Sequence, residues 1–99
     1  MSYFIVNKPL VTIDIEDIVD YYKAISPNLA HQFLDRIEEA KKYISNNPDA
    51  FQTKYKNVRT ILLKQFPYHI HYILEESKQK VVILSITHAY KNPKDYSNR

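Results

Sequence analysis

Apolar residues follow two different rhythms along these 99 residues. The opening SYFIV is dense in strand-favouring side chains and stops at Asn7-Lys8-Pro9, which predicts a short first strand. From Ile15 the spacing changes: Ile15, Ile18, Val19, Tyr22 and Ile25 fall on one face of a helix. Asp14, Glu16, Asp17 and Asp20 cluster in its early turns, where the positive end of the helix dipole favours carboxylates, and Thr12 or Asp14 can serve as N-cap. Ser26-Pro27 reads as a break and a restart, serine as N-cap and proline at a first helical position that needs no N–H donor. The second helix should bury Ala30, Phe33, Leu34, Ile37, Ala40 and Ile44, pair Glu38 with Lys42 on its other side, and end near Asn46-Asn47-Pro48. So short a connection predicts an antiparallel helical hairpin with one apolar seam.

After a polar loop, PDAFQTKYKN, the rhythm becomes that of strands: VRTILLKQF, YHIHYIL and KVVILSITH. Lys64 to Pro67 and Glu75 to Gln79 are the corners of an antiparallel meander, and Pro67 suits a corner because it cannot donate to a ladder. The expected fold class is therefore α+β in two layers, an N-terminal strand and a helical hairpin packed on one face of the meander, as one domain over residues 1–99. The tail AYKNPKDYSNR is polar and reads as a flexible end or a functional arm.

Alternation along YHIHYILE puts Tyr68, Ile70, Tyr72 and Leu74 on one side and His69, His71, Ile73 and Glu75 on the other. The first set is the more apolar and is assigned to the helix-covered core. The histidine set is assigned to the reverse face, open for a binding or catalytic surface.

Composition narrows the chemistry. The chain has no cysteine, which removes disulfides, thiolate catalysis and cysteine-ligated zinc. It also has no glycine, so phosphate loops and dinucleotide fingerprints are excluded, and any left-handed backbone position should fall on Asn46, Asn47 or Asn57. No run of about 18 apolar residues and no leader-like N-terminus is present, so a soluble cytoplasmic protein without membrane contact is expected. Residues 1–50 hold five Lys/Arg against eight Asp/Glu, and residues 51–99 hold nine against three, so the +3 net charge is concentrated in the second half. A basic half suits nucleic acid or an acidic protein partner.

Two histidines two apart on a strand, with His88 near, could reach one metal ion, but ordinary alternation of a half-exposed strand gives the same pattern, so no metal and no cofactor is assigned. Metal-free cleavage of RNA needs a base, an acid and positive charge at the phosphate; Arg59, Lys64, His69, His71, His88 and Tyr90 could supply them.

The segments IEDIVDYYKAISPNLAHQFLDRIEEAKKYISNNPDAF, YKNVRTILLKQFPYHIHYIL and VVILSITHAYKNP, in this order and at these separations, resemble the RelE/ParE superfamily of bacterial toxins from type II toxin–antitoxin modules, over about Tyr3 to Pro93. The resemblance implies a small cytoplasmic toxin of a plasmid-stabilisation type, neutralised by a cognate antitoxin and forming a homodimer or a hetero-oligomer with it. RelE-like members are ribosome-dependent endoribonucleases that cut messenger RNA; ParE-like members block DNA gyrase by binding. In the RelE pattern two catalytic lysines stand where this chain has Thr60 and Leu62, and an arginine stands where it has His69. A nuclease subgroup ends its last strand in His-Tyr, where this chain has Ala89-Tyr90 and His88 is one residue early. Each lost phosphate-stabilising donor costs a nuclease roughly 3 kcal/mol. The long acidic hairpin and the FPY corner look more like the ParE branch. A gyrase-binding toxin is the favoured expectation. If the chain is instead a nuclease, Arg59, His69, His88 and Tyr90 are its catalytic candidates; a degenerate toxin that only binds antitoxin is the remaining alternative. Lys54, Lys56, Arg59, Lys64 and His71 are the expected residues for binding antitoxin or target.

Overall fold

The computed structural model describes residues 2–90, 96, 97 and 99; Met1, residues 91–95 and Asn98, including most of the polar tail, lie outside the described residues. The elements are β1 (Phe4–Asn7), α1 (Pro9–Ile25), α2 (Pro27–Asn46), β2 (Thr53–Tyr55), β3 (Val58–Leu62), β4 (Tyr68–Glu75), a 3-10 turn (Glu76–Lys78) and β5 (Lys80–His88). They form the expected two-layer α+β arrangement. The sheet order is β1-β5-β4-β3-β2, antiparallel except that β1 lies parallel to β5.

The helical hairpin buries Val11, Ile18, Phe33, Ile37, Ala40 and Ile44 against Ile70, Tyr72, Val81, Ile83 and Ile86 of the sheet. Tyr22, Phe33, Phe66 and Tyr68 interlock near the Phe-Pro corner, with ring centroids 5.0 Å apart for Tyr22–Phe66 and 5.5 Å for a perpendicular Phe33–Phe66 pair. Tyr72 is fully buried, its hydroxyl donating to the Pro48 carbonyl at 3.2 Å, and burial pushes its pKa up to about 12.

Several local expectations are corrected. Helix α1 starts at Pro9, two turns before Ile15, because proline fits the first helical position; Thr12 and Asp14 therefore lie inside the helix and are not its N-cap. Ser26 ends α1 and starts α2 without a side-chain cap hydrogen bond. Ile25 and Leu34 face solvent, 60% and 38% exposed, since the hairpin seam is narrower than the apolar spacing. Glu38 lies 4.0 Å from Lys41, one residue before the expected Lys42. Part of the polar loop forms the edge strand β2, whose pairing to β3 is interrupted by an irregularity between Thr53 and Tyr55. Among the described residues, left-handed backbone falls on Lys56, Gln65 and Gln79, and not on Asn46, Asn47 or Asn57. These residues stand at the corners between β2 and β3, between β3 and β4, and before β5, where strand register fixes the turning residue whatever its side chain.

One irregularity decides which residues reach which face. Between the pairs His71–Ser85 and Tyr72–Ile83, Leu84 has no opposite number in β4. The extra residue resets the alternation of β5, so Ile83 and Ile86 both face the helices, while Leu84 packs on the reverse side with Val58 and Val82.

Candidate functional site

Cross-strand pairs share a face, so the register assigns each candidate residue. Thr60 pairs with His71, Leu62 with His69, His69 with Thr87, and His71 with Ser85; all of these lie on the reverse face. Arg59 pairs with Tyr72 and His88 with Tyr68, and these belong to the helix side.

His71 is not the exposed residue that alternation on an open face predicts. It is 8% exposed, flanked by Tyr55 and capped by the Tyr96 ring at 5.0 Å. Its Nδ1 lies 3.0 Å from the Tyr55 hydroxyl and its Nε2 lies 2.9 Å from Thr87 Oγ1. The Tyr96 backbone N–H donates to the same Tyr55 oxygen at 3.2 Å. Neutral His71 carries one ring proton, so it donates to one of these two hydroxyls and accepts from the other. Burial, followed by the nearby His69 and Arg99, lowers its pKa to about 4. A histidine held neutral beneath a tyrosine can order a network but cannot supply charge to a phosphate.

His69 remains half-buried beside an open groove of about 980 Å³, which Lys54, Thr60 and Thr87 line from the sheet and Asp17 and Tyr21 line from α1. Burial and then the Lys54 charge lower the His69 pKa. Beyond the end of β1, the exposed edge of β5 is closed by side chains. Asp14 accepts the Ile86 N–H at 3.1 Å, and Arg99 donates to the Leu84 carbonyl at 3.1 Å and to Asp14 at 2.6 Å. Asp14 thus serves the sheet edge and the ion pair.

The basic residues expected to help bind a partner are dispersed over the molecule. Lys54 reaches the groove, and Lys56 Nζ lies 3.4 Å from Ser97 Oγ. Arg59 is turned to the helix side and donates to the Phe51 carbonyl. Lys64, 80% exposed, lies 3.6 Å from Glu39 of α2. His88 stacks edge-on with Tyr68 at 5.3 Å and accepts the Tyr90 N–H, while the Tyr90 side chain stands in solvent, 85% exposed. Among the four catalytic candidates, His69 and His88 both line the groove, His69 from the reverse face and His88 from the helix side, while Arg59 is not part of its wall. Among the described residues, no group of three His, Asp or Glu side chains could hold a metal ion, and no helix is long and apolar enough to cross a membrane.

Sequence reading missed Tyr55, Thr87, Tyr96, Arg99 and the second role of Asp14. The polar tail had been recognised as a possible arm, and Tyr and Arg three apart within it were the available signal; the others depend on register.

Comparison with known proteins identifies this arrangement. The family model described as the ParE toxin of the type II toxin-antitoxin system, parDE, matches residues 6–93. Among solved structures, a chromosomal ParDE toxin-antitoxin system from P. aeruginosa superposes with a TM-score of 0.74 at 22% identity, covering 88% of this chain and 96% of that one. The toxin-antitoxin complex RelBE2 from Mycobacterium tuberculosis gives 0.62 at 15% identity, covering 89% and 99%. A mutant of the E. coli toxin RelE in the free state gives 0.60 at 15% identity, covering 91% and 86%. No curated protein matches the sequence. With 88 of its residues inside the family model, the chain belongs to the ParE toxin family of type II toxin–antitoxin systems.

Proposed function

We propose that this chain is a toxin that acts by binding DNA gyrase and is neutralised by a cognate antitoxin, with no chemistry at the reverse face. The observation that carries the reading is the dispersal of charge around His69. Its strand neighbours on that face are Leu62 and Thr87, the Arg59 guanidinium is engaged with the Phe51 carbonyl on the far side, and His71 is sealed and neutral. Phosphoryl chemistry without a metal requires preorganised cationic donors converging on one point, and among the described residues Lys54 is the one lysine lining this groove. A surface of half-buried tyrosines and mixed charge suits macromolecular docking better.

The test is a pair of assays on one preparation. The purified chain is expected to inhibit gyrase supercoiling and to leave ribosome-bound messenger RNA intact. Codon-dependent cleavage that disappears in His69→Ala and Tyr90→Phe would replace this reading with the nuclease one. A chain inert in both assays, and harmless on expression without antitoxin, would leave a family member that only binds antitoxin.

A further inference from the structure

Tyr96 and Arg99 sit on the protein as a small ligand would. The Arg99 N–H donates to the Tyr96 carbonyl at 3.1 Å, and the Arg99 guanidinium lies 5.2 Å from the Tyr96 ring. The ring fills a slot over His71, packed against the Val58, Val82 and Leu84 cluster. The guanidinium grips Asp14 through both nitrogens, at 2.6 and 3.3 Å, and takes the Leu84 carbonyl as well. An aromatic slot, a hydroxyl that accepts a main-chain N–H, and a carboxylate on a sheet edge together make a three-point recognition site.

We propose that this slot is the docking site for a turn-forming segment of a protein partner carrying an aromatic residue and an arginine three residues apart, with Tyr96–Arg99 occupying it when the partner is absent. The inference rests on the reading that a protein partner binds this chain. The partner's chemistry follows from what displacement would leave behind. Asp14 is 17% exposed in its side chain, and a segment that evicted Arg99 without bringing a cation would cover an unpaired carboxylate. Likewise the Val58–Val82–Leu84 cluster and His71 would be wetted unless another ring replaced Tyr96. A partner that supplies both groups exchanges like for like, and its own extra contacts then decide the competition.

The full chain carrying Tyr96→Ser and Arg99→Ser empties the slot without touching its walls. The probe is a capped peptide with the sequence of residues 95–99, DYSNR, titrated while backbone amide resonances are followed. Binding is expected at the Ile86 N–H and around His71, about tenfold tighter to the double variant than to the unaltered chain, whose own segment competes. A peptide with glutamate in place of arginine, or Asp14→Asn added to the double variant, should each weaken binding by about tenfold. If the double variant fails to fold, Arg99→Ser alone is expected to give the same ordering with a smaller ratio. Absent binding, shifts elsewhere on the protein, or indifference to the arginine and to Asp14 would overturn the assignment. Co-expression of antitoxin with the unaltered chain separates the two readings. Growth arrest relieved by antitoxin with no peptide binding sinks the slot alone, and peptide binding without toxicity sinks the toxin reading alone.

Discussion

The two faces of the sheet are built on different principles. On the helix side, Phe33, Ile37, Ile44, Ile70, Tyr72 and Ile83 are all at most 1% exposed, and the cover is a hairpin of two long helices. On the reverse side the apolar cluster is Val58, Val82 and Leu84, the middle of the face is a histidine–hydroxyl network, and part of the cover is Tyr96 and Arg99, held by the Asp14 ion pair and by hydrogen bonds to Tyr55 and Leu84. Close packing of hydrocarbon gains free energy in proportion to buried area and tolerates little change. A polar network under a small cover gains little net free energy but can be uncovered locally. Stability is therefore concentrated on one face, and the capacity to exchange partners on the other.

Substitutions on the two faces should differ in size accordingly. Phe33→Ala removes the ring at the centre of the aromatic group and should destabilise by about 3–5 kcal/mol, measured as a fall in the urea midpoint. A comparable loss from Arg99→Ala would erase the contrast. Acid should act mainly through the reverse face. Folded His71 resists the proton until about pH 4, whereas the unfolded chain accepts it near 6.5. The unfolded state thus binds more protons in that window, so stability is complete above pH 6.5 and declines as pH falls towards 4, by about 3 kcal/mol. His71→Gln should flatten most of that slope, and an unchanged slope would show that the network does not hold the histidine neutral. Arg99→Ala should cost about 1–2 kcal/mol, between an exposed and a buried ion pair, and should speed amide exchange at Ile86. Smallest is Ser85→Ala. The Ser85 hydroxyl is fully buried with no hydrogen-bond partner among the described residues, so its removal should raise stability by about 1 kcal/mol.

The periodic part of this contrast was legible in the sequence. Alternation from Tyr68 to Glu75 correctly divided β4 between the two faces, and the helical spacing found most of the buried seam. What alternation could not show was the unpaired Leu84, because a bulge is set by the partner strand and leaves no mark on the strand's own composition. His71 was assigned to the correct face but the wrong exposure, since its cover comes from Tyr55 and Tyr96, distant in the chain and brought together by tertiary packing. The placement of the basic residues was not legible for a related reason: charge counted along the chain says nothing about Arg59 and Lys64 turning towards Phe51 and Glu39.

The parallel pairing of β1 with β5 has a consequence for how the molecule is made. Phe4 meets Lys80, and Asn7 meets Ile83, so the first strand has no strand to pair with until the last has been synthesised. The helical hairpin emerges from the ribosome earlier, with its apolar seam uncovered, and must wait for β4 and β5 to close beneath it. A nascent chain of this protein cannot complete its architecture, and so cannot present either finished face, until translation has passed residue 83.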